Sequence, residues 1–120
     1  MSENVIKTKS FNFALRVIKL FQFLNQEKKE FVLSKQLLRS GTSIGALVRE
    51  SVQAESKKDF IHKLAIAQKE ANETDYWLEL LFQSDYLNQT QFQSIKSDII
   101  EINKILASII ITTKQKLATK

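Results

Sequence analysis

LLRSGTSIGALVRE, residues 37–50, contains both glycines of the chain, Gly41 and Gly45. Glycine usually marks a turn, but the chain has no proline to support one here. The apolar spacing instead predicts a helix over residues 34–52, with Ser34 as its N-cap. The glycines leave part of the surface of this helix without side chains, so a neighbouring helix can approach it closely. Each glycine inside a helix costs about 0.5–1 kcal/mol relative to alanine, and close packing is the expected compensation. A helix broken in two at Ser40 and Gly41 is the alternative.

The composition favours a few long helices joined by short links. A chain of 120 residues, of which 43% are hydrophobic, can bury a core, and the lack of proline argues against a β-rich fold with many turns. The chain has no cysteine, so it has no disulfide and no thiolate metal site, as is usual in a reducing cytosol. It also lacks an apolar signal segment and any apolar run of the roughly 20 residues that a membrane span requires. We therefore expect a cytoplasmic protein with no membrane association.

Three further helices are predicted from apolar residues spaced three and four apart. The first covers residues 10–25 and carries two neighbouring apolar stripes, which are Phe11, Ala14, Ile18, Phe21 and Phe13, Val17, Leu20, Leu24. The third covers residues 57–83 after the capping pair Ser56 and Asp59, and the fourth covers residues 89–115 after Asn88 and Gln91. Four helices with short links predict a single domain over residues 1–120, folded as an all-α, antiparallel up-down-up-down four-helix bundle.

The helix surfaces predict close packing and self-association. Ala67 and Ala71 lie in the middle of the apolar stripe of the third helix, and we expect these small side chains to pack against the glycines of the second helix. The first and fourth helices carry a wider apolar face than one bundle buries. An apolar face left in water predicts a homo-oligomer.

Charged residues on the second and third helices predict a polar network. Arg39 and Glu50 lie on the second helix, and Glu70 and Glu73 lie one turn apart on the third. Inward glutamates bind metals in some bundles, but those centres use Glu-x-x-His, and the only histidine, His62, precedes Glu70 by two turns. We therefore predict an ion-pair network that fixes helix register, with no metal and no cofactor. A solvated charged face is the alternative.

The chain contains no residue pattern typical of catalysis. His62 has no serine or carboxylate placed to complete a triad, and no phosphate-binding loop, zinc-ligand spacing or dinucleotide fingerprint is present. Tyr76 and Trp77 are aromatic residues that can stack on bases, but at helical spacing such residues more often belong to a core or an interface. We predict that the protein is not an enzyme.

Lysines concentrate at one end of the predicted bundle. In an up-down-up-down arrangement the chain start, the link between the second and third helices and the chain end meet at one pole. This basic pole contains Lys7, Lys9, Lys57, Lys58, Lys114, Lys116 and Lys120, against Glu3, Glu55 and Asp59. Lysine suits phosphate backbones rather than base readout, so the basic pole predicts weak, sequence-independent and salt-sensitive binding of RNA or DNA. A solvated lysine fringe is the alternative.

Three segments and Glu50 carry a resemblance to a known family: QLLRSGTSIGA (36–46), AESKKDF (54–60) and AQKEANETDYWLELL (67–81). They resemble the 23S rRNA-intervening sequence proteins, which are related to accessory proteins of diversity-generating retroelements. The similarity covers nearly the whole chain and departs at Leu47, where similar sequences often have asparagine. The resemblance implies a four-helix bundle that assembles as a homopentameric ring, without established enzymatic activity. It also implies nucleic-acid binding for some members and a reverse transcriptase partner for the retroelement relatives.

Two functions follow as hypotheses. The first is a non-enzymatic oligomer, pentameric by the resemblance, whose basic pole binds RNA or DNA. The second is a protein scaffold that docks an enzyme partner such as a reverse transcriptase, with its lysines serving solubility. Salt-sensitive retention of RNA would favour the first function over the second.

Overall fold

The computed structural model describes the backbone of residues 2–119 and the side chains of residues 4–119. These residues form four helices: α1 (Ser2–Gln26), α2 (Leu33–Val52), α3 (Lys57–Gln83) and α4 (Gln89–Ala118). Each helix packs against the next in sequence and α1 also packs against α4, in a bundle that measures 53 × 22 × 20 Å. The predicted antiparallel four-helix bundle is confirmed. Over residues 2–119, none of the helices is long and apolar enough to cross a membrane.

α1 begins at Ser2, eight residues earlier than the sequence predicts. The buried stripe of this helix continues toward the N-terminus through Ser10 and Ile6, each only 1% exposed. Ser10 hides this continuity in the sequence because it places a polar residue in the stripe. Its hydroxyl donates to the Lys7 carbonyl oxygen at 3.3 Å, so the buried group keeps a hydrogen bond within its own helix.

The start of α2 is capped by Glu30 and not by Ser34. Ser34 lies inside the helix and donates its hydroxyl to the Glu30 carbonyl oxygen at 2.9 Å. The Glu30 carboxylate accepts from the backbone N–H groups of Val32 at 3.1 Å, Leu33 at 2.9 Å and Ser34 at 2.7 Å. Burial raises the pKa of Glu30, but these hydrogen bonds lower it more, so its pKa lies below the ordinary value. The carboxylate thus satisfies N–H groups that every helix start leaves without partners.

α2 is continuous through both glycines, which excludes the alternative of a helix broken at this point. A Cβ atom at Gly41 would lie 2.8 Å from Val17 Cγ2, and one at Gly45 would lie 3.3 Å from the Ser10 carbonyl oxygen. Both glycines therefore allow α1 to approach α2 closely.

The small residues of α3 are buried, while the glycines face α1. Ala67 and Ala71 are fully buried, whereas the atoms nearest to a side chain added at either glycine belong to α1. The expected pairing of glycines with alanines is therefore corrected. Ser40 of α2 meets this part of α3, since its hydroxyl hydrogen bonds with that of Thr74 at 2.9 Å.

The predicted caps of α3 and α4 are confirmed. The Ser56 hydroxyl accepts from the Asp59 N–H at 3.0 Å. At α4, Asn88 Oδ1 accepts from the Gln91 N–H at 2.8 Å, and Gln91 Oε1 accepts from the Asn88 N–H at 2.9 Å, which forms a complete capping box. Both helices begin where these local motifs indicate, while α4 ends at Ala118, three residues beyond the predicted bound.

The core consists of one apolar stripe from each helix. The predicted stripes of α3 and α4 supply buried residues from Leu64 to Leu81 and from Ile95 to Ile109. Only one of the two apolar stripes of α1 is buried: Phe13 and Val17 are at most 1% exposed, whereas Phe11 is 47% exposed. The second stripe of α1 therefore remains on the surface of the single chain.

Candidate interaction surfaces

Arg39 forms ion pairs across the α2–α3 seam, by which we mean the line along which these two neighbouring helices pack. Its Nη1 lies 3.1 Å from Glu70 Oε1, and its Nη2 contacts Glu73 Oε2. Glu73 also accepts a hydrogen bond from Trp77 Nε1 at 3.2 Å. The Arg39 side chain is 49% exposed, so this cluster lies at the surface of the seam, where an ion pair stabilises by about 0–1 kcal/mol.

Glu50 does not join this cluster. It lies 11 residues beyond Arg39 on the same helix, a rise of about 16 Å. Its Oε1 instead lies 3.3 Å from Lys63 Nζ on α3. The predicted four-residue network is thus two separate contacts along one seam. Within the described residues, no group of three or more His, Asp and Glu side chains is placed to hold a metal ion.

A lysine of α4 bridges the α3–α4 seam by contacting two carboxylates of α3. Lys96 Nζ contacts Asp75 Oδ1 and lies 3.4 Å from Glu79 Oε1. Burial lowers the pKa of Lys96, but the hydrogen bonds and charges of both carboxylates raise it more, so its pKa lies above the ordinary value. Lys96 is therefore charged throughout the physiological range.

The α1–α4 seam is also polar at its surface. Arg16 contacts the Asp98 carboxylate and donates from Nη2 to Ser94 Oγ at 2.8 Å. About two turns earlier on α1, Lys9 Nζ lies 3.0 Å from Glu101 Oε1. Charge pairs thus connect three of the four pairs of neighbouring helices.

The α1–α2 seam differs from the other three, because no ion pair between described residues crosses it. An apolar groove of about 280 Å³ lies along it instead, which we call the α1–α2 groove. The groove is lined by Lys7, Phe11, Ala14, Leu15, Ile18, Thr42, Gly45, Ala46 and Arg49. The Arg49 guanidinium lies over the Phe11 ring, 5.1 Å from its centroid. Gly45 and Ala46 leave part of the α2 side of the groove without bulky side chains.

The two α1 lysines of the predicted basic pole lie on different sides of the helix. Lys7 lines the α1–α2 groove, whereas Lys9 is paired with Glu101 on the α1–α4 seam. Helix residues two positions apart point about 200° apart, and this separates the two side chains. Lys120 and the side chain of Glu3 lie outside the described residues.

Lys57 and Lys116 are the predicted pole residues that the structure brings to one feature. They come from the start of α3 and the end of α4, and both line a cavity at the end of the bundle. Lys58 and Lys114 are exposed nearby in sequence. None of these four lysines is ion-paired with a described residue. Their charges are therefore available to an anionic ligand.

The cavity at this pole, which we call the end cavity, has a volume of about 400 Å³ and was not predicted from the sequence. One buried aliphatic side chain from each helix lines it: Ile6, Val48, Leu64 and Ile109. The remaining lining residues are Ser51, Val52, Ala54, Ser56, Lys57, Phe60, Thr113 and Lys116. The apolar pattern marks the four aliphatic residues as core, but it contains no signal that the core leaves space here.

Tyr76 and Trp77 lie far from the basic pole. Their rings meet edge to face, with centroids 5.1 Å apart. Tyr76 lies 19 residues beyond Lys57 on α3, a rise of about 28 Å. A base stacked on Tyr76 would therefore not share the lysines of the pole.

Comparison with known proteins agrees with this architecture. Residues 2–108 match the model of the 23S rRNA-intervening sequence protein family, and no curated protein matches the chain. The crystal structure of a protein of unknown function from the S23 ribosomal protein family of Bacteroides thetaiotaomicron is similar, with a TM-score of 0.91 and 60% sequence identity. That match covers 92% of this chain and 98% of the other. The chain belongs to the 23S rRNA-intervening sequence protein family.

Proposed function

We propose that this protein is a non-enzymatic, cytoplasmic homopentamer whose basic pole binds RNA or DNA weakly and without sequence preference. The observation that carries the proposal is the contrast among the seams. Ion pairs close three of them, whereas the α1–α2 seam leaves an apolar groove and exposed apolar side chains. Apolar surface of this kind favours contact with another protein surface. The family resemblance supports five copies of the chain.

Two separate apolar patches support a ring rather than a two-fold dimer. One patch is the α1–α2 groove, whose lining residue Leu15 is 47% exposed. The other is a stripe on α4, where Ile100 and Ile111 are 43% and 56% exposed and lie on the same helix face about three turns apart. α4 packs against α1 and α3 but not against α2, so the two patches lie on different sides of the bundle. Different patches that bind each other form a heterologous contact, which closes into a ring when the rotation allows.

A ring of this kind supports nucleic-acid binding because it repeats the basic pole around one axis. Each copy presents Lys57, Lys58, Lys114 and Lys116, none of which is paired with a described residue. The net charge of +5 per chain adds with each copy. Lysines neutralise phosphates one by one, so affinity depends on the number of phosphates neutralised and falls steeply with salt.

The assembly is tested by light scattering after size exclusion of the full chain and of Leu15→Glu. Leu15 is exposed in the single chain, so the substitution leaves the bundle folded but places a charge in the apolar contact. We expect the wild type to have the mass of five chains and Leu15→Glu to have that of one. Asn12→Glu is the matched control, since Asn12 faces the α1–α4 seam and should keep the wild-type mass. A monomeric wild type, or an unchanged mass for Leu15→Glu, contradicts the proposal.

Nucleic-acid binding is tested by fluorescence anisotropy of labelled oligo(U) in a salt series. Lys57→Gln combined with Lys58→Gln should weaken binding without dissociating the ring, because both side chains are exposed at the basic pole. It should also reduce the magnitude of the slope of log K against log salt concentration, by about 0.7 for each phosphate of a single strand that is no longer neutralised. Lys28→Gln combined with Lys29→Gln removes the same charge from the opposite pole and should leave the affinity unchanged. Equal affinities for both double variants would exclude the basic pole.

The alternative function is a scaffold that docks an enzyme partner such as a reverse transcriptase. The α1–α2 groove supports this alternative as well, since it suits any apolar protein surface. A ring that does not bind RNA even at low salt would favour the scaffold.

A further inference from the structure

We infer that the end cavity binds a small anionic amphiphile, of the medium-chain fatty-acid class, with its alkyl chain among the aliphatic side chains and its carboxylate at Lys57 and Lys116. The inference does not depend on the proposed function. It rests on three observations about the cavity: where it lies in the fold, what lines its walls, and which polar groups remain for a ligand.

The cavity lies where the α2–α3 link and the end of α4 meet. α2 ends at Val52, α3 begins at Lys57 and α4 continues to Ala118, and side chains from each of these segments line the cavity. The short link supplies only small side chains to the cavity, those of Ala54 and Ser56. The space between α1, α4 and this link is therefore not filled by the chain's own described side chains.

The walls suit an aliphatic chain. Ile6, Val48, Leu64 and Ile109 belong to the core and are at most 6% exposed, so the buried part of the cavity wall is apolar. A volume of about 400 Å³ lies within the range of small-molecule sites in proteins.

The hydroxyl groups at the cavity already have local partners. Ser51 donates to the Val48 carbonyl oxygen at 2.6 Å, and Thr113 donates to the Ile109 carbonyl oxygen at 2.7 Å. Ser56 accepts from the Asp59 N–H as the cap of α3. Ser51 and Thr113 therefore have no hydroxyl donor left for a ligand, and an aliphatic chain suits the apolar part of the cavity better than the polar edge of a nucleobase does.

The charge at the mouth favours an anion. Lys57 and Lys116 line the cavity, and neither is ion-paired with a described residue. Lys57 is also the first residue of α3, where the helix dipole adds partial positive charge. A carboxylate is the simplest group that meets two ammonium groups at the end of an alkyl chain.

The experiment is isothermal titration calorimetry of the full chain with hexanoate, octanoate and decanoate at neutral pH, below their micelle concentrations. We expect one site per chain. Each methylene buried should strengthen binding about fourfold, so each step of two carbons should strengthen it about fifteenfold. Decanol, which lacks the charge, should bind more weakly than decanoate, by up to about fivefold for each exposed ion pair that the alcohol cannot form. Lys57→Gln combined with Lys116→Gln should remove this preference for decanoate.

Ala54→Leu places bulk inside the cavity and should reduce decanoate affinity at least tenfold, because it removes the room for two or more methylenes, estimated at about fourfold each. Ala118→Leu is the matched control, because Ala118 is exposed and does not line the cavity. Circular dichroism of each variant checks the fold, and the lysine variants provide a second test if Ala54→Leu unfolds. The absence of saturable decanoate binding to the wild type overturns the inference. So does binding that survives Ala54→Leu but disappears in Leu15→Glu, or equal affinity for decanoate and uridine monophosphate.

Discussion

A methyl group added at Gly41 tests how closely α1 and α2 pack. In Gly41→Ala the new Cβ would lie 2.8 Å and 2.9 Å from the two Cγ atoms of Val17, closer than the 3.0 Å that real Cβ atoms keep. Val17 is fully buried, and a β-branched side chain in a helix has one strongly preferred rotamer. Val17 therefore cannot turn away, so the helices must move apart.

The size of the effect is a difference between two contributions. Alanine in place of glycine stabilises a helix interior by about 1 kcal/mol. Overpacking of a well-packed core costs about 1–3 kcal/mol. We expect Gly41→Ala to lower the free energy of unfolding by about 1 kcal/mol in total. Gly45→Ala is the internal comparison: its Cβ would lie 3.3 Å from the Ser10 carbonyl oxygen, so the smaller clash should leave stability within about 0.5 kcal/mol of the wild type.

Val17→Ala provides the decisive control. Alone it removes two buried methyl groups and should cost about 2 kcal/mol. Combined with Gly41→Ala it removes the clash, and the new methyl group fills part of the space. The double variant should therefore cost less than the sum of the single variants by about 1–2 kcal/mol.

The assay is urea unfolding followed by circular dichroism, with every variant at one protomer concentration because assembly shifts apparent stability. Two results would refute the packing argument. One is a Gly41→Ala variant more stable than the wild type, and the other is additivity of the two substitutions.

Three further predictions concern single side chains, each read from the urea midpoint. The folded-state pKa of Glu30 lies below its ordinary value of 4.5, so the stability that its carboxylate contributes is present above pH 4.5 and is lost as the pH falls through the folded-state pKa. Glu30→Gln should therefore make stability depend less on pH on the acid side. An unchanged dependence of stability on pH would contradict the cap. Asn88→Ala should cost about 1 kcal/mol through loss of the α4 cap, while exposed Gln89→Ala should cost nearly nothing. The folded-state pKa of Lys96 is raised, so the stability that its charge contributes is present below its ordinary pKa of 10.5 and is lost as the pH rises through the folded-state pKa. Lys96→Met should cost about 1 kcal/mol at neutral pH and should remove this loss at alkaline pH. A Lys96→Met variant as stable as the wild type would contradict the seam contact.

Local motifs made the starts of α3 and α4 predictable. A cap is a contact between residues three apart, so Ser56 and Asn88 reveal it in the sequence itself. The cap of α2 is not predictable in this way, because Glu30 lies outside the helix and glutamate is not among the preferred N-cap residues. The start of α1 is not predictable from the apolar pattern, because buried Ser10 interrupts the stripe between Ile6 and the later apolar residues.

The partners of the small residues could not be predicted because a helix turns by about 100° per residue. Ser40 and Gly41 are neighbours in sequence, yet Ser40 hydrogen bonds with Thr74 of α3 and Gly41 faces Val17 of α1. A pattern of small residues indicates close approach, but the identity of the neighbour depends on the arrangement of all four helices. The same limit applies to Glu50. It lies on the side of α2 that faces α3, but at the level of Lys63 along the bundle and not at the level of the Arg39 cluster.

The two apolar features of the surface differ in what can fill them, and this difference can be tested. The α1–α2 groove runs along the side of the bundle beside exposed Phe11 and Leu15, so it suits another protein surface. The end cavity lies between all four helices with lysines at its mouth, so it suits a small anion. Leu15→Glu should therefore change the mass of the assembly and leave decanoate binding unchanged, while Ala54→Leu should do the reverse. If either variant changed both properties, the groove and the cavity would act as one site, and the separate roles argued for them would be wrong.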